Sequence, residues 1–321
     1  MAARMMTTQF ANLVKPGLRR VSIQQLQQTP KEFRQIFNVV AGPNPGGEAG
    51  RNFFDDLLIS PMGTFIAKGE GTSIQYDRVA EVGTVRYTPY AYALGARITH
   101  EMWEDELYGV MSKIYRLIAR SGLHQMEVQA FRVLNFGFAG TGNAGTGFTQ
   151  AGFDINTGAT GQLFNSAHTL KRGGTIANRA AVDLDLSVTS VENASDLLEL
   201  NVDEAGMPDP RHLEHLVIPP QLKWIAREIT ESELKPYTGD NEVNPLGGEG
   251  ISYMMVHYFI DPDMWIATGP KDQHDLNVWV REEPMFDAGD DFDSKDVKVS
   301  GMFRIAEGHG DFRGTFGSQG A

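Results

Sequence analysis

The 321-residue chain contains no cysteine. Neither disulfides nor thiolate chemistry can therefore contribute to its fold or function. No run of about 18 apolar residues occurs, so no transmembrane helix is expected. The N-terminal stretch lacks an apolar signal region, and secretion is not expected. Positive charge is in deficit: 28 Lys and Arg stand against 41 Asp and Glu, for a formal net charge of -13. That balance argues against a protein that grips DNA by neutralising its phosphates. No Ser or Thr stands in a nucleophile elbow, and no convergent acid–base set is evident. No catalytic residue and no cofactor-binding residue is assigned.

What is plentiful is glycine, 35 residues gathered mostly in loop-like stretches. Gly140-Thr141-Gly142-Asn143-Ala144-Gly145 matches G-x-G-x-x-G letter by letter. It follows a predicted helix and opens more loop, whereas the dinucleotide fingerprint follows a strand and opens a helix. It is read as a flexible loop. His212 and His215 have a spacing that could hold a metal on a helix, but they enter a predicted strand, where that spacing faces opposite ways. They are read as surface histidines, and His168 as structural. Residues Glu282 to Asp296 carry seven carboxylates and one lysine. They lack calcium-loop spacing and read as a solvated loop. No metal site is expected.

Charge is unevenly spread. Residues 1–51 hold seven basic groups (Arg4, Lys15, Arg19, Arg20, Lys31, Arg34, Arg51) and two acidic ones (Glu32, Glu48). This surplus of +5 leaves -18 for the rest of the chain. A basic arm on an acidic body fits contacts to neighbours in an assembly, and equally a solvated tail. The arm is Gln-rich with short helical candidates at Ser22–Gln28 and Lys31–Phe37, and Pro43, Pro45, Gly46 and Gly47 mark a hinge.

Residues 53–95 read as β. Ile74 and Tyr76 alternate with polar neighbours, a turn is expected near Glu81–Gly83, and Val85 and Tyr87 alternate again. Pro89 breaks the register before Tyr90, Tyr92 and Leu94. A lone hairpin is marginal in water, so this one is expected to lie on something else. Thr99 to Phe136 then reads as one long helix, about 55 Å at 1.5 Å per residue, with Thr99 as N-cap and Gly122 as a weak point. Its apolar positions include Trp103, Leu107, Ile114, Leu117, Ile118, Met126, Ala130, Val133 and Leu134. An α/β pattern follows: helices at Ser187–Leu200 and Gln221–Leu234, strands at Leu213–Ile218, Tyr253–Ile260 and Met264–Thr268. The chain closes in β at Leu276–Val280, Val297–Ile305 and Phe312–Phe316.

Arm, hairpin, spine helix, inserted α/β region and closing β segment occur in that order. The order resembles the major capsid (major head) protein of tailed bacteriophages, the Hong Kong-97 phage fold. Two stretches sharpen the resemblance towards Mu-like major head subunits, and a third looks like the entry to the family's spine helix. They are Leu163-Phe164-Asn165-Ser166-Ala167-His168 with Gly173, Gly174 and Asn178; His215-Leu216-Val217-Ile218-Pro219-Pro220-Gln221-Leu222; and Leu94-Gly95-Ala96-Arg97-Ile98-Thr99-His100-Glu101.

The resemblance implies an α+β fold with an N-terminal arm (1–52), an extended-loop hairpin (53–95), a spine-helix peripheral domain (96–148, completed by the C-terminal β segment 270–321) and an α/β axial domain (149–269). It implies a structural, non-enzymatic protein that self-assembles into hexamers and pentamers of an icosahedral head shell. That shell would enclose double-stranded DNA without sequence-specific binding and without a membrane, and would assemble in the host bacterial cytoplasm. Fifty residues ahead of the hairpin are too few for the large cleaved scaffolding segment of some relatives. A separate scaffolding protein is therefore expected, together with a portal and decoration proteins. Arg19, Arg20, Arg34, Tyr76 and Tyr87 are the expected inter-subunit contacts. The alternative on the same fold is an encapsulin-like nanocompartment shell around a cargo enzyme.

Overall fold

A computed structural model describes residues 31–42, 52–79, 81–99, 101–102, 105, 110–138, 162–170, 173–232, 234, 243–291 and 296–320. In chain order these form α1 (Phe33–Ile36), β1 (Asn38–Ala41), β2 (Phe54–Ile59), β3 (Glu81–Tyr87), β4 (Tyr90–Ile98) and the long helix α2 (Val110–Asn135). Next come β5 (His168–Thr169), β6 (Thr175–Ile176), α3 (Val188–Glu199), β7 (His215–Ile218) and α4 (Lys223–Glu231). The chain ends with β8 (Ser252–Met255), β9 (Trp265–Thr268), β10 (Leu276–Asp290), β11 (Val297–His309) and β12 (Thr315–Ser318).

The first sheet has the order β1-β10-β11-β4; β1 runs parallel to β10 and the other pairs are antiparallel. Side chains alternate across a strand, and here both faces are used. Leu276, Val278, Val280, Phe303 and Ile305 are buried in the same core as Met126, Ala130, Phe131 and Leu134 of α2. Trp279 and Ala306 point the other way, into a small cluster with Val85 and Tyr87 of β3. Sheet and helix approach closely at Gly301, where a Cβ would lie 3.0 Å from the Phe286 ring and 3.1 Å from Ile118.

The second sheet has the order β12-β9-β7-β8. Its strands are apolar on both faces, as expected where both are covered. Val217 and Ile266 join the core under α2, while Leu216, Ile218, Trp265 and Phe316 join Val191 and Ala194 of α3 and Ala226 and Ile229 of α4. Helix α3 begins at Ser187, whose hydroxyl accepts the Ser190 N–H while the Ser190 hydroxyl accepts the Ser187 N–H. Such reciprocal capping satisfies two otherwise orphaned donors.

The segment around Leu163–His168 is tied down by Asn178. Its amide donates to the Leu163 carbonyl (2.7 Å) and the Phe312 carbonyl (3.3 Å), and accepts from the Asn165 N–H (2.9 Å). The Asn178 oxygen also meets His168 Nε2 at 2.9 Å, and the imidazole stacks on Phe312 with centroids 3.6 Å apart. His168 is thus structural. Burial holds its pKa below the ordinary histidine value.

Several expectations change. The hairpin partner of Val85 and Tyr87 is β2, not the Ile74–Tyr76 stretch, and Glu81–Gly83 lies inside a strand. Alternation identifies a strand but not its partner; here the Asp55–Arg86 pair helps join the two strands through bonds of 2.6 and 2.8 Å. β4, placed in the extended loop, pairs with β11 over Tyr90–Ile98. β1, placed in the arm, adds to the edge of the first sheet, and β12, placed with the C-terminal peripheral segment, pairs with β9 in the second.

The carboxylate-rich stretch is largely strand. β10 runs on through Asp290 with register shifts between Val280 and Met285, and Phe286 is buried. Its carboxylates are neutralised locally, Glu282 by Arg304 and Asp291 by Lys298. The spine is continuous from Val110 to Asn135 and passes through Gly122 without a break. Ahead of it, Thr99 Oγ1 accepts the Met102 N–H at 3.4 Å and the Asp105 N–H meets the Glu101 carbonyl at 2.9 Å. Residues 106–109 lie outside the described residues, as do Arg19, Arg20 and the glycine motif at 140–145.

Candidate assembly surface

β2 and β3 form a two-stranded ribbon seated on the first sheet. Phe54 stacks on Tyr87 at 6.2 Å and meets Trp279 edge-on at 6.2 Å. The Arg86 guanidinium lies 4.1 Å from the Phe53 ring centroid while holding Asp55 with two hydrogen bonds. Beyond this anchored base, residues 60–79 leave the body with no strand pairing. The chain reverses at Gly69–Thr72: the Thr72 N–H donates to the Gly69 carbonyl, and Gly71 sits at φ 77°, where glycine is favoured. Asp77 accepts the Gly63 N–H at 2.7 Å and ties the two limbs together. The nine steps from Ser60 to Gly69 reach up to about 30 Å.

The composition of this excursion is unusual for something surrounded by water. Met62, Phe65, Ile66, Ile74, Tyr76 and Val79 are all exposed; Phe65 is 107% and Tyr76 88% accessible. Its charged residues, Lys68, Glu70, Asp77 and Arg78, cancel. Single exposed apolar side chains are ordinary, but six on one projecting segment mark an interaction surface.

A second exposed apolar feature lies on the body. Between α2 and the first sheet an open groove of about 230 Å³ is lined by Tyr92, Leu94, Gly122, Phe286, Met302 and Phe303. The glycine in the helix and Gly301 in the facing strand leave room there.

The root of the arm is a third element. Phe33, Ile36 and Phe37 are buried in the main core, and Phe37 meets Phe131 edge-on at 5.7 Å. The Phe33 N–H donates to Glu127 Oε2 of α2 at 2.9 Å. Glu32 accepts both the N–H of His257 (3.0 Å) and its Nδ1 (2.7 Å). Lys271 Nζ donates to the Arg34 carbonyl at 2.6 Å. Polar stitches from three parts of the body thus hold an apolar plug.

The expected contact residues fall in different settings. Arg34 bonds Glu283 of its own chain at 2.5 Å and remains 40% exposed. Tyr76 stands out on the excursion. Tyr87 is buried beneath the ribbon, where its hydroxyl accepts from Asn277 Nδ2 at 3.3 Å; burial raises its pKa. Its direct role is therefore to seat the ribbon that carries the excursion. Sequence reasoning overlooked Phe65, Ile66 and Met62; a cluster of apolar residues between glycines was the available signal.

Among the described residues no group of three or more His, Asp or Glu is placed to hold a metal ion. His212 is exposed and pairs with Glu199 at 3.0 Å; His215 meets Ser252 Oγ at 2.6 Å. No helix among the described residues is long and apolar enough to cross a membrane.

Residues 81–317 match the family described as phage capsid protein. No curated protein matches the chain in sequence. Solved structures do match in shape. The capsid of a native GTA particle is 10% identical with a TM-score of 0.58, covering 92% of this chain and 91% of that one. A chain from Microbacterium phage Oxtober96 is 11% identical with a TM-score of 0.57 over 91% and 92% of the two chains. The capsid of Ralstonia phage GP4 is 11% identical with a TM-score of 0.54 over 89% and 87%. At such identities the likeness is one of fold, the Hong Kong-97-type α+β fold.

Proposed function

Since the chain belongs to the phage capsid protein family, we propose how its copies build the shell. The protein is a structural subunit, a major capsid protein of a phage head. Its copies assemble as hexamers and pentamers of an icosahedral shell around double-stranded DNA. Residues 96–148 and 270–321, less the strand β12, act as the peripheral domain, and residues 149–269 as the axial domain around the capsomer axes. The acidic body keeps packaged DNA from adhering to the wall. A separate scaffolding protein, a portal and decoration proteins complete the head, which assembles in the host bacterial cytoplasm.

One observation carries this reading: an anchored ribbon projects a segment whose apolar side chains are largely exposed in the subunit. In a shell that segment lies across an adjacent copy, and the groove beside Gly122 offers it an apolar surface. Tyr76 is buried there, and Arg19, Arg20 and Arg34 of the arm face acidic neighbours. Each such contact is modest, and their repetition over a closed lattice gives a strong shell.

Electron microscopy of the purified chain, alone and together with its neighbouring gene products, tests this. Closed icosahedral particles are expected. Persistently monomeric protein under all these conditions would overturn the proposal, and particles filled with an enzyme rather than DNA would point to a nanocompartment.

A further inference from the structure

We propose that the junction between arm and body is a proton-controlled latch, in which buried Glu127 holds the arm root docked when protonated and loosens it when ionised. This goes beyond the shell function and concerns the single subunit.

The geometry singles out Glu127. It lies in the C-terminal half of α2, 4% exposed, where the arm enters the core. Its carboxylate accepts the Phe33 N–H at 2.9 Å and also a backbone N–H at Glu32. It therefore joins the spine helix to the first turn of the arm's plug by hydrogen bonds, beside the apolar contacts of Phe33 and Ile36. The plug itself, α1, is only four residues long and cannot persist without its surroundings.

The charges around it do not settle its ionisation in favour of the anion. From the arm come Lys31, which attracts, and Glu32, which repels. Lys31 is itself drawn towards Glu283 of β10, 3.8 Å away. From the 256–260 turn, His257 is engaged by Glu32, and Tyr258 is an uncharged phenol that feels Glu127, Glu32 and Arg120. From α2 itself come Arg120 and His124, the latter against the Tyr258 ring at 5.6 Å. The attraction of Lys31 is thus shared with Glu283, and the repulsion of Glu32 opposes it.

Burial first, then repulsion from Glu32, push the Glu127 carboxyl up to about 7, against the pull of the two N–H donors and Lys31. With the arm root undocked, Glu127 meets water and returns to the ordinary carboxylate value of 4.5. The docked state therefore holds the proton more tightly. The stabilisation it draws from that proton is fully present below pH 4.5 and is lost as the pH rises through about 7. The difference sets a ceiling of about 300-fold on the change in the docking equilibrium. The buried Phe33, Ile36 and Phe37 remain as anchors throughout, so the latch loosens the arm without ejecting it.

Hydrogen exchange on the full-length, unassembled subunit tests this between pH 5 and 8.5, after correction for intrinsic amide rates. The peptide covering residues 33–41 is compared with one covering 302–305 of β11, which pairs with β10 and β4 and not with β1. The 33–41 peptide should lose protection relative to its control by about tenfold or more, falling steadily from pH 5 and levelling off above about 7. Glu127→Gln keeps an acceptor without a charge and should abolish the step. Lys31→Met removes the nearby cation and should move the levelling-off to higher pH. A wild-type profile parallel to the control would overturn the latch even if Glu127→Gln failed to fold. So would a step that survives in Glu127→Gln.

Discussion

Replacing Phe65 by Ser separates assembly from folding. The side chain is fully exposed in the subunit, so its loss should leave subunit stability within about 0.5 kcal/mol, as for other surface changes. On the proposed function, it is buried once per subunit in the shell. Burying a phenylalanine is worth about 1.5–3 kcal/mol, and each 1.4 kcal/mol is about tenfold in an equilibrium constant. The critical concentration for particle formation should therefore rise by about 10- to 150-fold. Light scattering over a concentration series gives that threshold, and urea unfolding of the unassembled subunit gives its stability. An unchanged threshold would refute the idea that the excursion is buried between copies. A large loss of subunit stability would instead mean that Phe65 packs within its own chain.

Two further changes probe the body. Phe131 is fully buried among Phe37, Tyr258 and Phe259, with centroids 5.7, 5.9 and 6.0 Å away. Phe131→Ala should cost about 3–5 kcal/mol in urea unfolding and release the arm root; a loss below about 1 kcal/mol would mean that the plug is not packed on the spine. Asn178→Ala removes donors to the Leu163 and Phe312 carbonyls and the acceptor for the Asn165 N–H. It should destabilise the subunit by about 2–4 kcal/mol, with faster exchange at Asn165 and His168, and unaltered exchange there would contradict its bracing role.

How much of this was legible in the sequence depends on the range of the interaction. Ser187 as the start of a helix, Asn135 as the end of the spine and the strand before Pro219 rest on neighbours within a few residues, and local chemistry suffices for them. The order of elements was enough to suggest the capsid fold. Pairing was not legible, because it is decided across long stretches of chain. Val85 alternates correctly whether its partner is Ile74 or Asp56, and only the folded chain shows the second. Tyr87 shows how this alters a site. Its alternation marked it rightly as a residue with a buried face, but the surface that buries it is Trp279 of its own subunit. Phe65 has no such surface. A sequence gives both residues the same apolar weight; the fold separates the one that holds the ribbon from the one left for a neighbour. The carboxylates after Val280 follow the same logic in reverse. Their density reads as a solvated loop, but Met285, Phe286 and Ala288 are paired across β11 to Met302, Gly301 and Val299. Once that strand is laid down, Glu282, Glu283 and Asp291 need only stand where Arg304, Arg34 and Lys298 can reach them. One of those partners, Arg34, comes from the arm, so the acidic strand that seemed free for solvent is also part of what keeps the arm root on the body.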